Sequence, residues 1–301
     1  MQEKVVVITG VSQNGVGQAD AGVCVSELYP GDESTPPPGA GLSPRHGRSL
    51  LGGFVLDGLG AVVLSENQKK ASKRYQWIDY LFLNAGHLDY VGVNWHGLGR
   101  LLWNEPIRWM EHSGSTLQDS SGELTKDGLG KVFASNVFGH YTMIRELESL
   151  LAAEEGRIIW TSSSTAQSEC FDIEDWQGLK SETPYESSKW ACDLLSVAAN
   201  DYFMQRQLRI TSFTISPGVV SSRIGNFPLW ILYLRTFLHY LYTSATNRWG
   251  TTFVKPILLD HLKMNQAWTL WDHCEDHYQT LKHLDDSSLI DSANNRSSSC
   301  C

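Results

Sequence analysis

A tyrosine and a lysine lie four residues apart in the segment Tyr185-Glu186-Ser187-Ser188-Lys189. In a helix, this spacing places the phenol and the ammonium on one face. The neighbouring positive charge favours the phenolate, so the phenol could donate and accept a proton near neutral pH. The same spacing also occurs on ordinary solvated helix faces, where the lysine extends along the surface. The meaning of the pair therefore depends on the rest of the chain.

Two other segments carry residue types that suit ligand chemistry. The glycine-rich stretch 9–17 follows an apolar run, and its backbone could approach a pyrophosphate closely. Ser163 follows another apolar run, and its hydroxyl could hydrogen-bond a carbonyl oxygen on which charge develops. A plain turn and a serine that caps a turn are the alternatives.

Four apolar runs that end in Gly, Ser, Asn or Pro are predicted to be buried parallel strands: 5–8, 78–83, 157–160 and 209–215. Apolar residues at helical spacing fill 128–151 and 187–203. The alternation indicates an α/β fold with a Rossmann-like, doubly wound parallel sheet flanked by helices in a single domain. The ligand site of such a sheet lies at the carboxyl ends of its strands.

Residues 30–53 interrupt this alternation. They are rich in Pro, Gly and Ser, which predicts a loop where a second strand and helix should lie. The second βα unit is therefore atypical, and such a long insert is unusual inside a compact core. A genuine insert and an error in the gene model both account for it.

Composition narrows the function classes. The chain has 301 residues, 42% hydrophobic and 19% charged, which suits one α/β domain. A net charge of -9 without a block of Lys and Arg argues against a nucleic-acid partner. The six cysteines lack Cys-x-x-Cys or zinc spacing, so we predict reduced thiols and no metal site. The first residues run directly into a strand pattern, and no signal peptide is expected.

Six motifs follow one another in a fixed order along the chain. They are the glycine-rich turn, Asn84-Ala85-Gly86, Asn136, the serine run 161–164, the Tyr-x-x-x-Lys pair and Pro217-Gly218. Together they resemble the short-chain dehydrogenase/reductase family, over residues 4–225. The resemblance is closer to the 3-keto-steroid reductases of sterol biosynthesis, in 136–148, 159–163 and 184–198.

The resemblance implies catalytic roles for four residues. Tyr185 would protonate the carbonyl oxygen, and Lys189 would support Tyr185 and hold the nicotinamide ribose. Ser163 would polarise the ketone, with Ser162 as a neighbouring candidate, and Asn136 would support the lysine through a water. The residue chemistry agrees, because the hydride comes from the cofactor and the protein must orient the ketone and supply one proton.

The resemblance also implies cofactor contacts besides Tyr185 and Lys189. The glycines of the turn would hold the pyrophosphate, and other residues would line the adenine and nicotinamide sites. The full set is Gly10, Gly15, Gly17, Asp57, Asn84, Ala85, Gly86, Pro217, Gly218, Val220 and Ser222.

The cofactor half departs from the family pattern in two ways. Four residues separate Gly10 from Gly15, where the family has three. The residue that selects NADP over NAD falls in the aberrant stretch, where Arg45 and Arg48 could bind a 2′-phosphate or be exposed loop residues. The prediction that the cofactor is NADPH rests on the resemblance.

We therefore predict NADPH-dependent reduction of a 3-keto sterol to its 3β-hydroxy sterol during C4 demethylation. The alternatives are a short-chain reductase of another lipophilic carbonyl, such as a retinoid or a secondary metabolite, and a non-catalytic reductase-like scaffold for sterol enzymes. The resemblance implies other C4-demethylation enzymes as partners. It also implies the cytosolic face of the endoplasmic reticulum membrane, or the lipid droplet, as the location. A homo-oligomer remains open.

Residues 227–242 form the most apolar run of the chain. The run is shorter than the about 20 residues of a spanning helix, and Arg235 and His239 interrupt it. A lid over a lipid-like substrate, a membrane-contact helix, a core helix and a subunit interface all fit, and we predict peripheral membrane contact. We place the reductase-like domain in 1–260, and a C-terminal helix with a disordered tail after Asp285 in 261–301.

Overall fold

The computed structural model describes residues 4–9, 20–21, 23–28, 54–55, 75–88, 90–93, 117–119, 122–125, 127–216, 233, 237, 253–254 and 259–298. Its strands are β1 (Lys4–Thr9), β2 (Asp20–Ala21), β3 (Val23–Leu28), β4 (Phe54–Val55), β5 (Tyr80–Leu83), β6 (Tyr90–Val93), β7 (Leu117–Asp119), β8 (Arg157–Thr161), β9 (Thr211–Ser216) and β10 (Phe253–Val254).

A six-stranded sheet of order β10-β9-β8-β5-β1-β3 forms the centre of the fold. Its middle strands β9, β8, β5 and β1 are parallel to one another. Their sequences are short apolar runs because helices or loops cover both faces of a parallel sheet. All four strands predicted from the sequence are therefore confirmed, and their carboxyl ends meet at one edge of the sheet, which is called the carboxyl edge below.

Strand β3, which lies beside β1 at the end of the sheet, departs from the pattern of a regular doubly wound sheet. β3 runs antiparallel to β1, with Val23 opposite Thr9 and Leu28 opposite Lys4. It therefore begins at the carboxyl edge, where a parallel second strand would end. The prediction of an atypical second βα unit is confirmed by this strand direction, while residues 30–53 themselves lie outside the described residues.

The two smallest sheets and the helices complete the fold. β2 pairs with β4, and β6 pairs with β7, both antiparallel. The helices are α1 (Lys131–Phe133), α2 (Gly139–Ala153), α3 (Pro184–Gln205) and α4 (His261–Ser298), with a π-helical turn (Ala134–Phe138) that joins α1 to α2. Short 3₁₀ turns lie at Ser168–Cys170 and Ile173–Asp175.

Helix α3 lies between the sheet and α4. Pro184 occupies its start, where the fixed backbone angle suits a helix and the missing N–H costs no hydrogen bond. Leu194, Leu195 and Ala198 are fully buried along it. Because neighbours cover it on several sides, its apolar residues are not confined to one stripe.

The C-terminal helix α4 packs on α3 and α2 in its first half. Ala267, Leu270, Trp271, Cys274 and Tyr278 are buried at helical spacing along one face. The helix continues to Ser298, beyond the point at which the sequence predicts a disordered tail. That expectation requires correction for residues 286–298, because helical hydrogen bonds are local and a helix already formed by packing can extend through a polar stretch.

Polar groups reinforce the contact between α4 and α2. Arg145 binds Glu275 on α4 (Nε to Oε2 3.0 Å) and also Glu148 on its own helix. Glu275 accepts a hydrogen bond from Tyr141, and Arg145 donates to the Tyr202 hydroxyl. This cluster is half-buried, so its charges are less screened than those of a surface pair. Within the described residues, no helix combines the length and the apolar character needed to cross a membrane.

Candidate active site

The tyrosine–lysine pair lies at the carboxyl edge of the sheet. Tyr185 occupies the first turn of α3, and Lys189 follows one turn later. Lys189 is only 2% exposed, and its Nζ donates to the carbonyl oxygen of Thr161 at the end of β8 (2.9 Å). Nζ lies 5.6 Å from the centre of the Tyr185 ring, and Tyr185 is half-buried. The end of β8 thus anchors the lysine of the pair that the spacing predicts.

The two candidate serines differ in their surroundings. Ser162 is 2% exposed; its Oγ donates to the carbonyl oxygen of Lys189 (3.4 Å), and its N–H donates to Ile215. Ser163 is half-buried, and its Oγ lies 3.0 Å from the hydroxyl of Thr165. Its Oγ also accepts from the N–H of Thr165 (3.2 Å). Ser162 is committed to the contact between β8 and α3, whereas Ser163 is the less buried of the two serines.

Asn136 lies in the π-helical turn and is fully buried. Its Nδ2 donates to the carbonyl oxygen of His87 (3.0 Å) and to Ser188 Oγ (2.9 Å), and its Oδ1 accepts from the His87 N–H (2.6 Å). Ser188 in turn donates to the carbonyl oxygen of Tyr185 (2.7 Å). Asn136 therefore joins the loop after β5 to the first turn of α3. Support of Lys189 through a water stays a prediction.

The ends of β1, β5 and β8 are joined by hydrogen bonds. Thr9 Oγ1 accepts from the N–H groups of Asn84 and Ala85, both at 2.8 Å. Thr161 Oγ1 donates to Asn84 Oδ1 (3.2 Å). On the other side, Thr9 Oγ1 lies 3.4 Å from His140 Nε2. These contacts fix the spacing of three strand ends at the place where a ligand of such a sheet binds.

Two buried groups near Lys189 are held neutral. Burial, followed by the charge of Lys189, lowers the pKa of His140 to about 3. Burial raises the pKa of the Cys192 thiol to about 12, against the opposing effect of Lys189. Near neutral pH neither group adds a charge beside the lysine: the imidazole adds no second positive charge, and the thiol adds no negative charge that would oppose the ammonium.

Several predicted cofactor residues lie outside the described residues. These are Gly10, Gly15, Gly17, Asp57, Pro217, Gly218, Val220 and Ser222, together with Arg45 and Arg48. Within the described residues, the structure brings together Asn84, Ala85 and Gly86 after β5 with the Tyr185–Lys189 pair. The other members of the predicted site stay predictions.

Three features of the site are absent from the predicted set. The acceptor for Lys189 is a backbone carbonyl, which residue types do not indicate. The π-helical turn around Asn136 has no signature in the local pattern. His140 belongs to the segment that carries the family resemblance, and its spacing of four from Asn136 could have placed it on the same buried helix face.

Comparison with known proteins defines the class. Residues 63–227, more than half of the chain, match the family model for short chain dehydrogenases. The chain therefore belongs to the short chain dehydrogenase family, as the order of its motifs predicts.

Individual relatives carry one recurring name. The chain is 34% identical over 231 residues to the 3-keto-steroid reductase/17-beta-hydroxysteroid dehydrogenase 7 of Rattus norvegicus, which covers 73% of this chain and 68% of that protein. It is 41% identical over 142 residues to the protein of that name from Homo sapiens (46% and 42%), and 32% identical over 198 residues to the 3-keto-steroid reductase of Kluyveromyces lactis (65% and 55%). The chain spans only part of each relative.

The family uses a nicotinamide dinucleotide, NAD(H) or NADP(H). The described residues fit part of such a group. An ammonium has three donors, and the carbonyl oxygen of Thr161 takes one from Lys189, which leaves donors for the hydroxyls of a ribose. Asn84 is exposed at the adjoining strand end, and Tyr185 is half-buried beside the lysine.

Proposed function

We propose that this protein reduces a 3-keto sterol to the 3β-hydroxy sterol with NADPH. The observation that carries the proposal is the placement of Tyr185 above a buried lysine, with an accessible Ser163 on the neighbouring strand end. The substrate class is inferred from relatives named 3-keto-steroid reductase. A place in C4 demethylation, with other enzymes of that process as partners, belongs to the same proposal.

Each residue has a defined task in this mechanism. Ser163 donates a hydrogen bond to the ketone oxygen and orients it. Tyr185 donates its proton to that oxygen as the carbon is reduced, and the ammonium of Lys189 stabilises the tyrosinate that remains. The nicotinamide supplies the hydride when it is bound. Asn136 holds the first turn of α3 in register by binding Ser188.

The cofactor contacts form a second part of the proposal. Asn84, Ala85 and Gly86 line the cleft, the glycines of the turn hold the pyrophosphate and Asp57 contacts the adenine. Pro217, Gly218, Val220 and Ser222 cover the nicotinamide. Selection of NADPH over NADH is assigned to Arg45 or Arg48, because a guanidinium binds a 2′-phosphate through paired hydrogen bonds. Substitution of the arginine that binds the 2′-phosphate by Ala should raise the KM for NADPH and leave the KM for NADH unchanged, whereas substitution of the other should change neither.

A turnover assay tests the proposal directly. The protein is incubated with NADPH and a panel of ketones that includes a 3-keto sterol, a retinal and a small aromatic ketone, and the product is identified by mass spectrometry. We expect the highest kcat/KM with the sterol and a 3β-hydroxyl in the product. Preference for another ketone would instead support the alternative function, reduction of another lipophilic carbonyl.

One observation favours a second function, that of a non-catalytic scaffold for sterol enzymes. β3 runs antiparallel to β1, so the described strand on that side of β1 leads away from the carboxyl edge. In a doubly wound sheet, the residue after that strand contacts the adenosine ribose. NADPH titration followed by nicotinamide fluorescence separates the two functions. No binding at millimolar cofactor would favour the scaffold.

The apolar stretch 227–242 is proposed to contact the membrane of the endoplasmic reticulum or the surface of a lipid droplet. Its described residues Tyr233 and Phe237 are each helical, lie four positions apart in the sequence and are 73% and 58% exposed. Exposed aromatic residues favour binding at a lipid surface. Replacing both residues by Ser should reduce flotation with phosphatidylcholine vesicles, and unchanged flotation would contradict the proposal.

The described packing also bears on domain organisation. Because α4 buries one face against α2 and α3, we propose that residues 1–260 and the first half of α4 unfold as one unit. Two separate unfolding transitions in a thermal scan would contradict this.

A further inference from the structure

We propose that His140 is a positioning residue, which holds the hydroxyl of Thr9 and thereby fixes the Asn84–Ala85 turn against which the cofactor binds. The proposal rests on the proposed function in one respect, namely that the bound molecule is NADPH. It assigns a task to a buried side chain that takes no part in the mechanism described above.

The hydrogen-bond capacity of Thr9 leads to this assignment. A hydroxyl has one donor and two acceptor lone pairs. The N–H groups of Asn84 and Ala85, both 2.8 Å away, occupy the two lone pairs. The hydroxyl proton must therefore point elsewhere, and His140 Nε2 lies 3.4 Å from Oγ1. Nε2 is then the acceptor, and the proton of the imidazole resides on Nδ1.

The surroundings of His140 keep the ring in the state that this bond requires. The side chain is 3% exposed and packs edge to face on Trp160, with ring centres 5.9 Å apart. Burial and the charge of Lys189 on α3 lower the pKa of His140 to about 3, so the imidazole is neutral at working pH. If the ring were protonated, its Nε2–H and the hydroxyl proton of Thr9 would face each other as two donors. The ring would also add a second positive charge beside Lys189.

The position of the bond explains why it should affect the cofactor. Thr9 is the last residue of β1, and Asn84 and Ala85 directly follow β5. Both strand ends lie at the carboxyl edge, where the cofactor of a doubly wound sheet binds. Loss of the acceptor leaves a buried hydroxyl proton without its partner, which loosens the turn.

A matched pair of substitutions tests the role. His140→Leu removes the acceptor at similar volume, whereas His140→Gln places a carbonyl oxygen at the same number of bonds from the backbone as Nε2. We expect His140→Leu to weaken NADPH binding by about tenfold, which corresponds to about 1.4 kcal/mol. The KM for NADPH should rise with it while kcat at saturating cofactor stays nearly constant. His140→Gln should restore most of the affinity, and equal losses in both variants would overturn the proposal.

A double-mutant cycle shows whether His140 acts through Thr9. Thr9→Val removes the hydroxyl, so His140→Leu should have little additional effect in that background. Circular dichroism and thermal unfolding confirm that each variant is folded before binding is measured. Additive losses in the double variant would contradict the assigned route.

Nitrogen NMR of histidine-labelled wild-type protein tests the bond directly, and a variant is needed only to assign the resonance. His140, assigned by the resonance lost in His140→Gln, should show a protonated Nδ1, an unprotonated Nε2 and no titration above about pH 4.5. An Nε2–H tautomer or titration near pH 6.5 would overturn the proposal. Because this readout needs no cofactor, it stays valid if the protein proves not to bind NADPH, an outcome that would refute the proposed function instead.

Discussion

At the scale of single residues, burial separates the two serines at the end of β8. Neighbouring residues of an extended chain point to opposite sides. Ser162 accordingly lies inside and binds the backbone of Lys189, whereas Ser163 stays accessible. The chemical roles that we propose for the two serines follow from this difference, although the two side chains are identical.

Substitution of Ser163 by Ala should lower kcat by about a hundredfold, because the ketone oxygen loses a positioned donor as charge develops on it. Steady-state kinetics with the 3-keto sterol measure the effect. Ser162→Ala is the matched control: it should cost about 1 kcal/mol of folding stability through one lost hydrogen bond, with a much smaller change in kcat. The reverse order of the two kcat values would assign catalysis to Ser162.

The hydrogen bonds of Asn136 lead to a separate prediction about stability. Asn136→Ala leaves the N–H and carbonyl groups of His87 and the hydroxyl of Ser188 without this partner. Buried polar groups that lose a partner cost about 1–3 kcal/mol each, so the midpoint of urea unfolding should fall markedly. An unfolding midpoint close to that of the wild type would show that the contact contributes little.

Much of the catalytic set could be predicted at this scale, and some of it could not. Tyr185 and Lys189 are linked by helical spacing, which is local and therefore visible in the sequence. The bond between Thr9 and His140 joins residues 131 positions apart. Such a contact depends on the packing of a strand end against a helix, and neither residue type alone indicates it.

At the scale of elements, the contact between α2 and α4 should depend on pH. Burial alone would raise the pKa of Glu275. Hydrogen bonds from Tyr141 and Gln279 and the charge of Arg145 outweigh this effect and hold the pKa below its usual value. The folded-state pKa is thus depressed. The stabilisation is present above the unfolded pKa of about 4.3 and is lost as the pH falls through the lower folded pKa.

Glu275→Gln should therefore lower the free energy of unfolding at pH 7 by about 1.5–3 kcal/mol, the usual contribution of hydrogen bonds to a charged group. It should also flatten the decline in stability below about pH 4.5. Urea unfolding at a series of pH values measures both effects. Glu155→Gln is the control, because its pair with Arg209 is mostly exposed and should contribute about 0–1 kcal/mol. Equal losses of unfolding free energy in the two variants would contradict the stronger contribution that we assign to the half-buried cluster.

The apolar face of α4 gives a second prediction at this scale. Trp271 is 3% exposed and packs against Tyr141 and Tyr202, with ring centres 4.9 and 4.7 Å apart. Trp271→Ala should destabilise the protein by about 3–5 kcal/mol through lost burial and a residual cavity. Leu262→Ala on the same helix, at a position that is 76% exposed, should change stability by less than about 0.5 kcal/mol. Thermal unfolding compares the two.

The parallel strands were predictable from the sequence because burial on both faces requires continuous apolar runs such as Val5-Val6-Val7. The direction of β3 was not, because antiparallel and parallel pairing use the same residue types and the connection decides between them. The extent of α4 was underestimated for a similar reason, since the polar composition after Asp285 suits both a solvated helix and a disordered tail.

At the scale of the whole molecule, two regions of the chain differ in how closely they follow the family pattern. The family model covers residues 63–227, which include the four proposed catalytic residues. The strand beside β1 has the direction opposite to that of a doubly wound sheet. We therefore expect that a chain that keeps these four residues still brings NADPH to them.

Oxidation of NADPH by the wild-type protein and by Tyr185→Phe, in the presence of a 3-keto sterol, tests this expectation. The wild type should oxidise the cofactor in proportion to the 3β-hydroxy sterol formed. Tyr185→Phe should bind NADPH with similar affinity and turn over at least about a hundredfold more slowly, because it lacks the proton donor. Undiminished turnover by Tyr185→Phe, or no NADPH oxidation by the wild type, would contradict the account.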